Sequence, residues 1–358
     1  MNLEQKKILN AINLAFFSNQ EAILKLFKSY SAPEDVYKLK KEDLKNLGFK
    51  KNTIEEFLKR RQEIDIEKEW KKLERENIKV ITKDEKEYPP LLKEIANPPI
   101  LLYVKGEICP QENYLSCVGT RWPSDYGKMV TSDIVGDLAN FGFTIVSGLA
   151  RGIDTLSHKI AIEKGKRTIA VVGNGLDIVF PPENKNLAQK IEKNGAIISE
   201  FPLNAPPLPH NFPLRNRIIA GISKGILVIE AKEKSGALIT ANLALEEGRE
   251  IFAIPGPIYS KTSAGCNKLI KEGAHLVTSA NDILSLFNLE GGIKLEKEIK
   301  GKTNEENIIL DVLKQEPKTI EKIIKETKMP ASTVNSLLVF LEIEGKIKKT
   351  GEKYYINR

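Results

Sequence analysis

Six apolar runs in the middle of the chain each stop at a loop of glycine, small polar residues or arginine, and helical periodicity resumes after the loop. The runs are LSCVGTR (115–121), FTIVSGLARGID (143–154), TIAVVGNGLD (168–177), AIISEFP (196–202), ILVIEAKEKSGALIT (226–240) and IFAIPGP (251–257). Continuous Val/Ile-rich strands alternating with helices predict an α/β fold, a doubly wound and mostly parallel sheet covered on both faces. In such sheets ligands bind at the carboxyl ends of the strands, where all six unusual loops fall. Glycine lets the backbone approach a ligand, and helix N-termini offer free N–H groups to anions.

The pattern changes on either side. Residues 1–65 read as short helices, with apolar residues at helical spacing in ILNAINLAFF, AILKLFKSY and DVYKLKKEDLKNLGF. A helix-hairpin-helix or similar module fits, although its hairpin is reduced to LGF (47–49). Residues 66–290 form the predicted sheet domain. It opens with a charged helix, a strand KVIT and a segment (88–106) whose four prolines exclude a regular helix through them. That segment is expected to pack against the sheet edge. Residues 291–304 read as a polar, glycine-containing linker. In 305–358 three helices precede a hairpin around Thr350-Gly351, which is the winged-helix order. Its third helix has no Arg or Lys before Lys346, which argues against groove reading by that helix.

Charge narrows the picture only slightly. The net charge of +7 is spread along the chain, with 22 basic against 20 acidic residues in 1–115, 19 against 17 in 116–290 and 11 against 9 in 301–358. A polyanion would have to be gripped by locally placed cations. No apolar run approaches a membrane span, and the N-terminus lacks a secretory signal, so a cytoplasmic protein with no membrane partner is expected. The three cysteines are scattered and form no metal pattern; no metal and no cofactor are expected.

The chemistry-bearing loops converge on one face. Gly119, Thr120 and Arg121 follow the first strand of the six. Ser147, Gly148 and Arg151 follow the second. Phe212, Arg215 and Arg217 lie at a helix start, and Lys232, Lys234, Ser235 and Gly236 follow the fifth strand. Guanidinium groups bind phosphate bidentately, and an aromatic beside them offers a stacking surface. Together they would make a sequence-tolerant grip on single-stranded nucleic acid. The competing role for Arg215 or Arg217 is a buried pair with Glu200 or Glu230. His158, four residues past Asp154, would reach the same face or bond locally; His210 could face the crevice, and His275 reads as structural. Walker A, GxSxG and HExxH motifs are absent, and GNGLDI matches a dinucleotide fingerprint in only two of three glycines.

These motifs, in order, resemble the bacterial DNA-processing protein family, DprA or Smf: GTR, SGLARGID with His158, TIAVVGNGLD with PPEN, FPLRNRIIAG, EAKEKSGALITA with Gly248-Arg249, and IPGP. The resemblance implies an extended Rossmann-like domain that binds single-stranded DNA without enzymatic activity. It also implies a homodimer that protects incoming strands and loads the RecA recombinase during natural transformation or recombination, with no small-molecule substrate. By the resemblance, Arg121, the Ser147-Gly148 loop, Phe212, Arg215 and the Ser235-Gly236 loop match its DNA-binding pocket. An alternative on the same fold is a nucleoside monophosphate phosphoribohydrolase-like, nucleotide-processing enzyme. Those enzymes carry a PGGxGT loop, whereas this chain reads Ile254-Pro255-Gly256-Pro257-Ile258 and lacks the second glycine and the threonine.

Overall fold

In the computed structural model the chain forms two compact units, 1–287 and 288–358. Residues 1–17, 19–289 and 301–356 are described. The expected linker at 291–304 lies mostly outside them, and its last residue, Asn304, begins a helix.

The first unit is built on a nine-stranded sheet. Its strands are β1 (Lys79–Thr82), β2 (Leu101–Gly106), β3 (Asn113–Val118), β4 (Phe143–Ser147), β5 (Thr168–Val171), β6 (Gly195–Ser199), β7 (Gly225–Val228), β8 (Glu250–Ala253) and β9 (His275–Leu276). The spatial order is β1-β2-β6-β5-β4-β3-β7-β8-β9. The seven strands from β3 onward run parallel, and β1 and β2 pair antiparallel at one edge. All six expected strands are present. The chain winds outward from β3 to β6 and then returns to β7 on the other side of β3, so the order reverses between β3 and β7. In open α/β sheets this switch point leaves a crevice at the strands' carboxyl ends.

One expectation needs correction at the edge. The proline-rich segment does not merely pack against the sheet. After a short helix over Pro90–Glu94 it supplies β2, which lies between β1 and β6. The prolines stop before Ile100, so the run LLYVKG keeps every N–H it needs for the ladder.

Helices cover both faces. The helices that matter for the site are α1 (Leu3–Phe16), α2 (Ile66–Arg75), α3 (Asp125–Val130), α4 (Ile153–Glu163), α5 (Lys185–Asn194), α6 (Asn211–Ile222), α7 (Gly236–Glu246) and α8 (Ala264–Lys271). On one face Ile218, Ile222 and Ala241 pack with Val118, Val146, Ile169 and Val228. On the other Trp70, Leu73, Leu187 and Ile191 pack with Ala170 and Ile197. This two-sided burial is why the strands are continuous apolar runs.

The N-terminal helices pack around Phe16 and Phe57, whose rings stack 4.3 Å apart. Gly48, at φ +74°, turns the chain at the reduced LGF hairpin. This layer is tied to the sheet by buried polar bonds: Asn13 Nδ2 and Gln20 Nε2 both donate to the Glu200 carbonyl, at 2.9 and 3.2 Å.

In the second unit, helices over Asn304–Gln315, Ile320–Thr327 and Ala331–Ile343 precede a hairpin of Ile347–Thr350 with Lys353–Ile356. Gly351 (φ +62°) makes its turn. Leu310, Ile323, Val334, Leu338 and Leu341 form its core.

Candidate nucleic-acid interface

At the switch point lies an open crevice of about 340 Å³. It is bounded by the loop after β3, the start of α6 and the loop after β7. Of the residues singled out in the sequence, Gly119, Thr120, Arg121, Phe212, Arg215, Lys232, Ser235 and Gly236 line it.

Short backbone ties hold the three loops together. Thr120 N–H donates to the Glu230 carbonyl at 2.7 Å, and Ile153 N–H to the Thr120 carbonyl at 3.1 Å. Gly152 has φ +78°, and a Cβ there would sit 2.2 Å from the Thr120 carbonyl oxygen, so the second loop can fold under the first only with glycine. At the third side, Asn211 Nδ2 donates to the carbonyls of Gly173 and Pro206, at 3.0 and 3.1 Å. This anchors the first turn of α6 and sets the Phe212 ring against Gly173.

Two arginines form the cationic heart of the crevice. Arg215 is buried. Its Nη1 donates to the carbonyls of Gly148 (2.8 Å) and Val171, and its Nε to Asn216 Oδ1 at 3.2 Å. A Cβ on Gly148 would lie 2.7 Å from the guanidinium, so this glycine makes room for Arg215 and does not face a ligand. Burial pushes the Arg215 pKa down to about 10; nearby Asp154 opposes that shift and Arg121 adds to it. The group stays charged at neutral pH. Asp154 is buried, and burial raises its pKa against the pull of Arg215 and the Gly148 and Ala150 N–H groups. Arg121, by contrast, is exposed, and among the described residues no carboxylate forms an ion pair with it. Phe212 lies 5.8 Å below the Arg215 guanidinium and 5.9 Å from the half-exposed Phe180 ring.

Other sequence candidates fall elsewhere. Arg217 does not face the crevice. It is buried against Glu200, with Nη2 2.5 and 2.7 Å from the two carboxylate oxygens, and Nη1 donates to the Asn97 carbonyl at 2.6 Å. The physical reason is helical geometry: residues two apart in a helix point to different sides. Arg151 is exposed and paired with Glu183. The buried Ser147 hydroxyl donates to the Cys117 carbonyl at 2.7 Å and is consumed by the sheet. Lys234 is exposed beside a neighbouring groove between α7 and α8.

His158 is fully buried, and its Nδ1 is 2.7 Å from the Thr168 hydroxyl, which itself donates to the Ile145 carbonyl. Nδ1 therefore carries the proton. Burial, reinforced by the Arg215 charge, pushes its pKa down to about 3. His275 sits 2.9 Å from Glu250 at the sheet edge. Among the described residues Glu230 pairs with no arginine; its carboxylate accepts from Ser124 N–H (2.9 Å), Ser124 Oγ (2.6 Å) and Thr262 Oγ1 (3.0 Å).

The residue that sequence reasoning missed is Trp122. It lines the crevice next to Arg121 and is 76% exposed, a large aromatic face turned to solvent. Its signal was present: an indole immediately after GTR, at the end of the central strand. Phe180, 40% exposed beside Phe212, was missed for the same reason.

A doubly wound sheet with a cationic, aromatic-rimmed crevice at its switch point, followed by a winged helix, defines a class of modular α/β proteins. The chain belongs to the DNA recombination-mediator protein A family, whose model matches residues 79–288. The DprA winged helix domain matches 296–352. The Smf protein of Escherichia coli is 48% identical over 62% of this chain and 59% of its own length, so the chain spans about three fifths of that relative. The structure of DprA from Streptococcus pneumoniae is similar with a TM-score of 0.67 and 37% identity, over 80% of this chain and 98% of that one. A Helicobacter pylori DNA processing protein A, solved in a study of its single-stranded DNA binding mode, gives 0.52 and 28%, over 59% and 96%. Among the described residues no helix is long and apolar enough to cross a membrane.

Proposed function

We propose that this chain binds single-stranded DNA in the switch-point crevice, without strong sequence preference and without catalysing a reaction. The observation that carries this reading is the exposed Arg121, free of ion pairs among the described residues, near the buried cation Arg215 in a crevice that is also lined by two aromatics, the exposed Trp122 and the half-buried Phe212. Arg121 and Lys232 would hold phosphates, the ring faces would stack bases, and no base-edge reader is needed. Thr120, Ser235 and Gly236 would supply the close backbone approach, while the missing side chain of Gly119 makes room for Ile153. The Helicobacter pylori relative, named for its single-stranded DNA binding mode, supports the assignment. Residues 66–290 carry the grip, with 1–65 and 305–358 as flanking modules. In the cell, a homodimer would shield incoming strands and pass them to the RecA recombinase in the cytoplasm.

The nucleotide-processing alternative wants a free carboxylate at the strand ends. Glu230 already accepts three hydrogen bonds from Ser124 and Thr262, and Asp154 is held by the Gly148 and Ala150 N–H groups. Neither is poised to activate water.

Titrating labelled single-stranded and duplex oligonucleotides over a salt series tests the proposal. Single strands should bind at least about tenfold tighter, a gap of about 1.4 kcal/mol. The log of affinity should fall with log salt by about 0.7 per neutralised phosphate. Equal affinity for duplex would refute it, and release of free base from AMP would favour the enzyme.

A further inference from the structure

The loop after β8 ends in the most exposed aromatic of this unit. Ile258 is 80% and Tyr259 is 95% exposed, side by side at the tip of a turn closed by Ser260 N–H on the Pro257 carbonyl at 2.9 Å. The base of this loop is held firmly. Asn267 clasps Gly256 from both sides, accepting from its N–H at 3.2 Å and donating to its carbonyl at 3.0 Å. Ala231 N–H donates to the Thr262 carbonyl at 2.7 Å. The buried Glu230 carboxylate joins Thr262 Oγ1 on this loop to Ser124 on the loop that carries Arg121 and Trp122. Tyr126 adds a further tie, its hydroxyl donating to the Pro255 carbonyl at 2.7 Å. A Cβ at Gly127 would lie 2.2 Å from Glu230 Oε2, so glycine there makes space for the carboxylate. The β3, β7 and β8 loops are thus one hydrogen-bonded unit on the carboxyl edge of the sheet. A solvated loop has no need of such fastening, nor of two large apolar side chains at its tip. The exposed Lys261 stands two residues further on.

We propose that this tip is a second contact for the DNA strand: a base stacks on Tyr259 and its phosphate pairs with Lys261, which extends the strand's path from the crevice toward the β8 side of the sheet. This rests on the single-strand reading of the crevice. Stacking on an exposed ring with one cation nearby is sequence-tolerant, and it suits a site that reads no base edges.

The test compares oligothymidines of six and twenty nucleotides on the full chain. Tyr259→Ala should weaken the twenty-mer about tenfold and leave the six-mer nearly unchanged, because a six-mer seated in the crevice leaves few nucleotides to reach the tip. Lys261→Ala should lower the salt slope for the twenty-mer alone. Trp122→Ala should weaken both lengths. Twenty-mers carrying 5-iododeoxyuridine at single positions should cross-link to the peptide that contains Tyr259. If Tyr259→Ala leaves the twenty-mer unchanged, or weakens both lengths equally, the second contact is wrong while the crevice reading stands on Trp122→Ala. If Trp122→Ala also changes neither length, the crevice reading falls with it.

Discussion

Arg121 and Arg217 make opposite predictions from similar chemistry. Arg121 is exposed, and no carboxylate forms an ion pair with it among the described residues, so removing it should leave the fold intact. Charge-assisted bonds to phosphate contribute about 1.5–3 kcal/mol, so Arg121→Ala should weaken single-strand binding roughly tenfold to a hundredfold at unchanged Tm. The salt slope should fall by about 0.7, the share of one phosphate. Arg217 is buried against Glu200, whose carboxylate burial has already pushed up in pKa. Arg217→Ala strands that carboxylate without its partner, a loss of about 3–5 kcal/mol. For a unit of this size that lowers Tm by roughly 10 °C. Below its melting transition the variant should bind single strands as the parent does. Melting curves and binding isotherms on the same preparations decide the matter. If Arg217→Ala lost affinity while staying folded, or if Arg121→Ala melted early and bound normally, the assignment of the two arginines would be wrong.

Other outcomes follow from the same geometry. Phe212→Ala and Trp122→Ala should each cost about 1–3 kcal/mol of single-strand affinity with the salt slope nearly unchanged, as checked by isotherms at several salt concentrations. A chain ending at Phe287 should keep its melting transition and most of its affinity, because the crevice lies wholly within 1–287; loss of binding with a native circular dichroism spectrum would misplace the site. His158 is held at a pKa of about 3 against an ordinary 6.5, so between those values the unfolded chain binds the extra proton and stability drops as pH falls. The fully buried ring makes this about 3 kcal/mol between pH 7 and pH 4, and His158→Gln should flatten that part of the denaturation profile relative to the parent.

Much of this fold was legible because burial on both faces leaves strands as unbroken Val/Ile runs. All six expected strands formed, and Arg121, Lys232, Ser235 and Gly236 meet because their strands flank the switch point. β2 was not legible. Prolines crowd the residues before it, and its antiparallel pairing at an edge leaves no loop-and-helix signature. Of the two roles open to Arg217, crevice cation or buried partner of Glu200, side-chain direction decides for the second. Two residues beyond Arg215 on α6, it must point elsewhere, and Glu200 after β6 was waiting there. Ser147 and Gly148, at the end of β4, do not line the crevice: one hydroxyl serves the sheet, and one missing side chain makes room for Arg215. Trp122 follows the GTR motif directly, but the exposure that makes its indole a stacking face is not written in the sequence.

A crystal structure of this chain with a short oligothymidine is the most direct test. The account predicts a phosphate on the Arg121 guanidinium and a base stacked on Trp122 or Phe212, within the crevice between the β3 and β7 loops. DNA seated on the winged helix or on the N-terminal helices, with the crevice vacant, would contradict it.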